Sequence, residues 1–238
     1  MSEFDPIAVR QHLETVKNEL EEANRRFAQN AQLMAVSKTF PPQAVLAATE
    51  VGQRVFGENY AQEGCDKVDW FREKYPELSL VWHFIGPLQS NKTRPVAERF
   101  DWVDSVDRLK IAQRLNDQRP QGMAPLNVLI EVNIDGEDTK SGVTLSEVKP
   151  LADEIVKLSN IKLRGLMCIP APAQTHDEQA KPLKAMRILF DELKDIYGLD
   201  TLSMGMSADM TVAVEAGSTL VRVGSAIFGQ RDYSKKSA

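Results

Sequence analysis

The chain has 238 residues, of which 42% are hydrophobic and 26% are charged, and its formal net charge is −5. This composition indicates a soluble globular protein with a sizeable core, and the length suits a single α/β barrel. The sequence has no long basic run and no apolar run of the roughly 20 residues that span a bilayer, so neither nucleic acid nor a membrane is an expected partner.

Targeting and redox features of the sequence favour a cytoplasmic protein. The first residues are acidic and lack the basic region and apolar core of a secretory signal. The two cysteines, Cys65 and Cys168, lie far apart in the chain and are expected to stay reduced. No cluster of cysteine and histidine has metal-ligand spacing, so we expect no metal site.

The first predicted element is a long amphipathic helix. Asp5 followed by Pro6 is a favourable helix start, because aspartate caps well and proline suits the first helical position. The apolar residues that follow recur at intervals of three and four and form one stripe: Leu13, Val16, Leu20, Ala23 and Phe27. We therefore assign residues 1–30 to a helix that packs against a larger body.

Beyond residue 30, short apolar runs alternate with helical patterns. The apolar runs are predicted as strands at 33–37, 54–57, 80–85, 102–106, 127–133, 163–169, 201–203 and 220–223. Helices are predicted between them at about 42–51, 60–75, 90–99, 107–118, 144–159, 177–197 and 208–216, with Ser207 as the cap of the last one.

Eight successive β–α units favour a single (β/α)8 TIM barrel over residues 31–230. The fifth and sixth strands are almost continuously apolar, as expected for a parallel sheet that is buried on both faces. An open doubly wound sheet is the alternative, but no glycine-rich dinucleotide-binding turn follows the first strand. Residues 231–238 form a polar tail.

Lys38 stands at the C-terminal end of the first predicted strand, before two prolines that stop the strand. A lysine amine in such a place is costly to desolvate and easy to deprotonate, as Schiff-base chemistry requires. Asn59 follows the second strand and His83 lies within the third. Taken alone, a lysine here is more often an exposed charge, Asn59 a turn residue and His83 a hydrogen-bonded core residue.

The loops after strands seven and eight have the composition of a phosphate site. Barrels often bind phosphate with these loops, and here Gly205, Ser207, Gly224 and Ser225 would let backbone N–H groups approach an anion. Arg222 adds a permanent positive charge. A lysine amine opposite a phosphate pocket suits pyridoxal 5′-phosphate. The same glycines and serines can also be ordinary turn and cap residues, and Arg222 can close an internal ion pair.

Several ordered segments resemble those of the YggS/PROSC family of pyridoxal phosphate homeostasis proteins. The resemblance covers the chain from about residue 30 to Tyr233 and rests on residues 35–39, 56–63, 82–92, 164–167, 202–210 and 221–229. It implies a barrel like the N-terminal domain of alanine racemase and an internal aldimine between the cofactor and Lys38. It also implies that the phosphate binds near Ser207, Gly224 and Ser225.

The resemblance further implies roles for residues around the cofactor ring. Arg222 is expected beside the pyridine nitrogen, where a fixed positive charge keeps that nitrogen unprotonated and makes the ring a weak electron sink. Asn59 and His83 are expected near the ring. Lys140 matches a lysine in the family's loop after strand five.

The resemblance favours a non-catalytic protein of vitamin B6 homeostasis, which holds pyridoxal 5′-phosphate and releases it or delivers it to apo-enzymes. The sequence shows no interface stripe beyond the N-terminal helix, so a monomer is expected. A racemase-like enzyme is the alternative, but two-base racemisation needs a second acid/base. Alanine racemases take that group, a tyrosine, from a separate C-terminal domain, and none of the four tyrosines here has an obvious claim to its place. A Schiff-base aldolase without cofactor is a third reading. Whether Lys140 or the Lys235-Lys236 pair offers a second cofactor site is left open.

Overall fold

A computed structural model describes residues 4–137 and 140–230. In this part of the chain, eight parallel strands close into a barrel in chain order. The strands are β1 (Gln32–Val36), β2 (Val55–Glu58), β3 (Val81–Phe84), β4 (Trp102–Val106), β5 (Leu126–Val132), β6 (Ile161–Cys168), β7 (Thr201–Ser203) and β8 (Leu220–Val223). The predicted barrel is therefore confirmed, and the open-sheet alternative is wrong because β8 pairs with β1.

Helices connect the strands on the outside of the barrel. Within the described residues they are α1 (Pro6–Phe27), α2 (Pro42–Glu50), α3 (Ala61–Lys74), α4 (Thr93–Arg99), α5 (Leu109–Gln118), α6 (Leu145–Ile155), α7 (His176–Tyr197), α8 (Met210–Glu215) and α9 (Ser225–Phe228). Two 3₁₀ turns, Pro76–Leu78 and Ser90–Lys92, lie between β2 and α4. No helix in the described ranges is long and apolar enough to cross a bilayer.

The N-terminal helix begins and packs as its sequence predicts. Asp5 caps α1 by accepting a hydrogen bond from the backbone N–H of Ile7 at 2.9 Å. The helix packs against α2, α8 and α9. It buries one stripe of side chains, of which each valine and leucine contributes about 1.5–3 kcal/mol when removed from water: Val9, Leu13, Val16, Leu20 and Ala23.

The predicted cap of the last long helix is wrong. Helix α8 begins after Asp209, not Ser207, and the Oδ1 of Asp209 accepts a hydrogen bond from the backbone N–H of Met206 at 2.7 Å. The N-cap of α8 therefore lies two residues later than predicted. Ser207 is left exposed on the loop after β7.

Side chains alternate between the barrel interior and the layer beneath the helices. On β8, Val221 and Val223 belong to the main hydrophobic core, whereas Arg222 between them reaches Ser203 on β7. On β1, Leu33 and Ala35 lie in that same core, and Met34 lies in a separate apolar cluster. Polar side chains in the barrel interior therefore come from alternate strand positions.

Candidate functional site

Lys38 lies two residues beyond the end of β1 and is half-buried. Ser37 before it is fully buried, and Thr39 after it adopts a left-handed conformation with φ +72°. Phe40 is buried again, and its ring packs 5.5 Å from that of Phe228 on α9. The chain therefore turns sharply at Lys38, at the C-terminal mouth of the barrel.

Asn59 and Arg222 come from the two strands that flank β1. Asn59 directly follows β2, which pairs with β1, and Arg222 lies on β8 in register with Met34. The barrel thus brings the strand ends that carry Lys38, Asn59 and Arg222 together as neighbours. The Oδ1 atom of Asn59 is buried, and no described residue supplies it with a hydrogen-bond partner.

Arg222 is buried and held from two sides. Its Nη1 donates to Ser203 Oγ at 2.7 Å and its Nη2 to the carbonyl oxygen of Cys168 at 2.8 Å. Burial lowers the pKa of Arg222, and the charges of Asp104 and Glu131 act in the opposite direction. An arginine stays charged in such surroundings, so the barrel interior carries a fixed cation.

The residues predicted to bind phosphate lie in the loops after β7 and β8. Ser207 and Ser225 are exposed, and Gly224 is half-buried. Gly205 has φ +94°, and a Cβ there would lie 2.3 Å from the Cβ of Ala213, so only glycine fits this bend. The backbone N–H of Arg222 donates to the carbonyl of Gly205 at 3.0 Å, which joins the two loops at their bases.

His83 has a different setting from the other predicted site residues. Its Nδ1 lies 2.9 Å from Oδ1 of Asp104, and its ring stacks on Trp102 with the centroids 4.8 Å apart. It lines a cavity of about 470 Å³ together with Gln32 and Thr201, the first residues of β1 and β7. The ring therefore faces the N-terminal mouth, and its contact with a cofactor stays a prediction.

Glu131 is a site-facing carboxyl that the sequence reasoning missed. It lies on β5 and is buried, between Ile130 and Val132 of the hydrophobic core. Burial raises the pKa of Glu131 to about 7, with a further rise from Asp107 and a reduction from Arg222. The available signal was one charged residue at an inward position of an otherwise apolar strand.

Lys140, a candidate for a second cofactor site, is paired with two carboxylates. The Nζ of Lys140 lies 2.7 Å from Asp135 and 3.4 Å from Glu137. Burial lowers the pKa of Lys140, but the hydrogen bonds and charges of Asp135 and Glu137 together outweigh it, so the net shift is upward. This amine is thus held in its protonated form. Lys235 and Lys236 lie outside the described residues.

Comparisons with known proteins agree with this architecture. The family model described as the alanine racemase N-terminal domain matches residues 11–232. The pyridoxal phosphate homeostasis protein of Vibrio alginolyticus is 53% identical over 231 residues, which cover 95% of this chain and 99% of the relative. That of Escherichia coli K12 is 54% identical over 212 residues, which cover 89% of this chain and 90% of the relative. The chain therefore belongs to the family of pyridoxal phosphate homeostasis proteins, built on the alanine racemase N-terminal domain.

Solved structures agree with this family assignment. PipY of Synechococcus elongatus, solved with pyridoxal phosphate bound, has a TM-score of 0.79 and 31% identity, with 93% of this chain and 100% of that chain covered. Alanine racemase from Corynebacterium glutamicum has a TM-score of 0.69 and 17% identity, with 98% of this chain and 64% of that chain covered. The second likeness concerns the fold alone.

Proposed function

We propose that this chain binds pyridoxal 5′-phosphate at the C-terminal mouth of its barrel and serves in vitamin B6 homeostasis, holding the cofactor on Lys38 and releasing or delivering it. Pyridoxal phosphate homeostasis proteins share about half of its residues over nearly the full length, and PipY was solved with the cofactor bound. The observation that carries the proposal is the convergence of Lys38, Asn59 and Arg222 on three neighbouring strands.

The residues at this mouth fit the cofactor's chemistry. When bound, the cofactor supplies an aldehyde that condenses reversibly with an amine and releases water. Lys38 supplies the amine. The buried, unpartnered Oδ1 of Asn59 is suited to a donor on the ring, and the exposed hydroxyls of Ser207 and Ser225 beside Gly224 are suited to the phosphate.

Arg222 supports a carrier over a catalyst. Its guanidinium is held by Ser203 and Cys168 inside the barrel, which favours a fixed position for the charge in the proposed complex. A cation held beside the pyridine nitrogen opposes protonation of that nitrogen, which weakens the ring as an electron sink. We therefore propose that the protein has little catalytic activity of its own.

An amino-acid racemase is the second candidate function, because Tyr60 lies where a second acid/base could act. Tyr60 follows Asn59 directly and is exposed near the cofactor mouth. Tyr75 packs against Trp70, and the hydroxyl of Tyr197 donates to Asp153, so both are engaged in the outer layer. Tyr60 is thus the tyrosine in the described ranges that deserves a test as a second acid/base.

Absorbance of the purified protein mixed with pyridoxal 5′-phosphate tests the binding proposal. We expect a visible Schiff-base band that Lys38→Ala abolishes and that Lys149→Ala, on the exposed face of α6, leaves intact. A Lys38-dependent band sinks the cofactor-free aldolase reading, whereas a band that survives Lys38→Ala sinks the proposed site. Racemisation of alanine above the free-cofactor background, and lost in Tyr60→Phe, would replace the carrier proposal by the racemase.

A transfer assay tests delivery. Loaded protein is mixed with an apo-enzyme that requires pyridoxal 5′-phosphate, and reactivation is compared with that by the amount of free cofactor released on dilution. Faster reactivation than the dilution control supports delivery to recipient apo-enzymes. Equal rates support release alone. Size-exclusion chromatography with light scattering tests the proposed monomer.

A further inference from the structure

The two peptide groups that flank Lys38 are both held by one ion-pair cluster. The Nζ of Lys67 on α3 donates to the carbonyl oxygen of Ser37 at 2.7 Å. The carboxylate of Glu63 accepts hydrogen bonds from Lys67 at 2.9 Å and from the backbone N–H of Thr39. Lys38 is therefore fixed on its N-terminal side by Lys67 directly and on its C-terminal side through Glu63.

The cluster extends to a buried carboxyl on the neighbouring strand. Glu58, the last residue of β2, accepts hydrogen bonds from Lys67 at 2.7 Å and from the hydroxyl of Ser37 at 2.6 Å. Glu58, Lys67 and Ser37 are at most 3% exposed. Removing three such groups from water is costly, and the short hydrogen bonds to Oε1 of Glu58 offset part of that cost, while Oε2 of Glu58 is buried without a hydrogen-bond partner among the described residues.

The conformation after Lys38 needs this support. Thr39 has a positive φ of 72°, which is strained for a β-branched residue and persists only where surrounding contacts enforce it. The bond from its N–H to Glu63 is such a contact. On the other side, the N–H of Ser37 donates to the carbonyl of Gly57 at 3.0 Å, as a continuation of the sheet.

We infer that Glu63 and Lys67 are positioning residues: together with Glu58 they clamp the backbone on both sides of Lys38 and so aim its amine into the mouth of the barrel. The inference rests on the proposed function, because it gives the clamp the task of presenting the amine that receives the cofactor's aldehyde. Neither Glu63 nor Lys67 needs to touch the cofactor for this role.

Two substitutions of Glu63 separate the hydrogen bond from the charge. Glu63→Gln and Glu63→Ala both remove the negative charge, but only the glutamine keeps an oxygen that accepts from Thr39 and Lys67. Glu63 is only about two-thirds buried, so both variants should fold. Glu154→Ala, which removes the exposed partner of Lys157, is the matched control.

The first readout is the rate at which the visible band appears with pyridoxal 5′-phosphate. We expect Glu63→Ala to slow it by about tenfold to 100-fold, since small misplacements of a reacting group have effects of this size. Glu63→Gln should keep most of the wild-type rate and Glu154→Ala all of it. The double variant Lys67→Met/Glu58→Gln, which leaves no unpaired buried charge, should be slowed as much as Glu63→Ala.

The second readout needs no cofactor. Lys38 in the unloaded protein is methylated with formaldehyde and a borohydride reagent. The rate of methylation at Lys38 is followed by mass spectrometry at several pH values. A pH profile that differs between Glu63→Ala and Glu63→Gln supports the clamp. Wild-type band formation in folded Glu63→Ala, or one methylation profile for all variants, overturns it. A wild-type protein without a Lys38-dependent band refutes the proposed function instead, and the methylation profiles then decide on the clamp alone.

Discussion

His83 and Asp104 form a buried pair across neighbouring strands, with Nδ1 of the imidazole 2.9 Å from one carboxylate oxygen and 3.1 Å from the other. Asp104 is fully buried, and its charge also raises the pKa of Arg222 against the effect of burial. One carboxylate therefore serves two partners, with His83 towards the N-terminal mouth and Arg222 towards the site.

Asp104→Asn should destabilise the protein. The amide keeps the size of the side chain but removes the negative charge that compensates Arg222 and strengthens the bond to His83. Hydrogen bonds to charged groups are worth about 1.5–3 kcal/mol, and we expect a loss of that size in the free energy of unfolding. Urea unfolding measures it. Asp69→Asn, which weakens an exposed pair with Arg99, should change stability by less than about 0.5 kcal/mol. Equal midpoints for the two variants would refute the role of Asp104.

Glu131 predicts a pH dependence of stability. Its pKa is about 7 in the folded protein and near 4.5 when unperturbed, so the folded state binds this proton more tightly between those values. Protonation of Glu131 therefore stabilises the folded protein fully below about pH 4.5. As the pH rises to about 7, the free energy of unfolding falls by about 3 kcal/mol.

Glu131→Gln should abolish that loss, because the amide does not ionise. We expect the variant to match the wild type near pH 5 and to exceed it in the free energy of unfolding at pH 8, as measured by urea titrations at several pH values. Glu77→Gln, on an exposed 3₁₀ turn, should follow the wild type throughout. A parallel pH dependence of Glu131→Gln and wild type contradicts the raised pKa.

Local patterns were enough to predict the barrel. Strands β4, β7 and β8 begin and end where the apolar runs do, and β5 is displaced by one residue. A parallel β–α repeat places all strand ends of one kind at the same end of the sheet, because each helix returns the chain to the end where the previous strand began. The C-terminal strand ends, and with them the setting of Lys38, could therefore be read from spacing.

Partners of buried polar groups could not be predicted in this way. His83 and Asp104 are 21 residues apart and Lys67 and Ser37 are 30 apart, so nothing local in the sequence links them. Which mouth of the barrel the imidazole of His83 faces depends on its packing against Trp102. Glu58 directly follows the second predicted strand, but its burial against Lys67 of α3 depends on tertiary contacts.

Gly86→Ala should weaken cofactor binding. A Cβ at Gly86 would lie 2.1 Å from the carbonyl oxygen and 2.8 Å from the Cα of Asn59, so the backbone of Asn59 must move. Under the proposed function this displaces a residue beside the cofactor, and we expect the affinity to fall about tenfold or more. Absorbance titration with pyridoxal 5′-phosphate measures it.

Gly122→Ala is the control for this substitution. Gly122 also lies in a loop, between α5 and β5, but a Cβ there meets no atom within 4 Å. Its positive φ makes alanine strained, so some stability is lost without a change at the cofactor mouth. If both variants bind the cofactor as the wild type does, Gly86 has no part in placing Asn59.

The two thiols should be nearly inert in the folded protein. Burial raises the pKa of Cys65 to about 11 and that of Cys168 to about 12. Because the thiolate is the reactive form, only about one Cys65 in 1,000 is ionised at pH 8, and about tenfold fewer Cys168. A chromogenic disulfide reagent should therefore react slowly with the native protein, and with Cys65 before Cys168. In denaturant both thiols return to a pKa of about 8.5 and should react at once, releasing two equivalents per chain. Cys65→Ser should leave only the slower native phase, whereas a rapid two-equivalent reaction of the native protein would contradict the burial of these thiols.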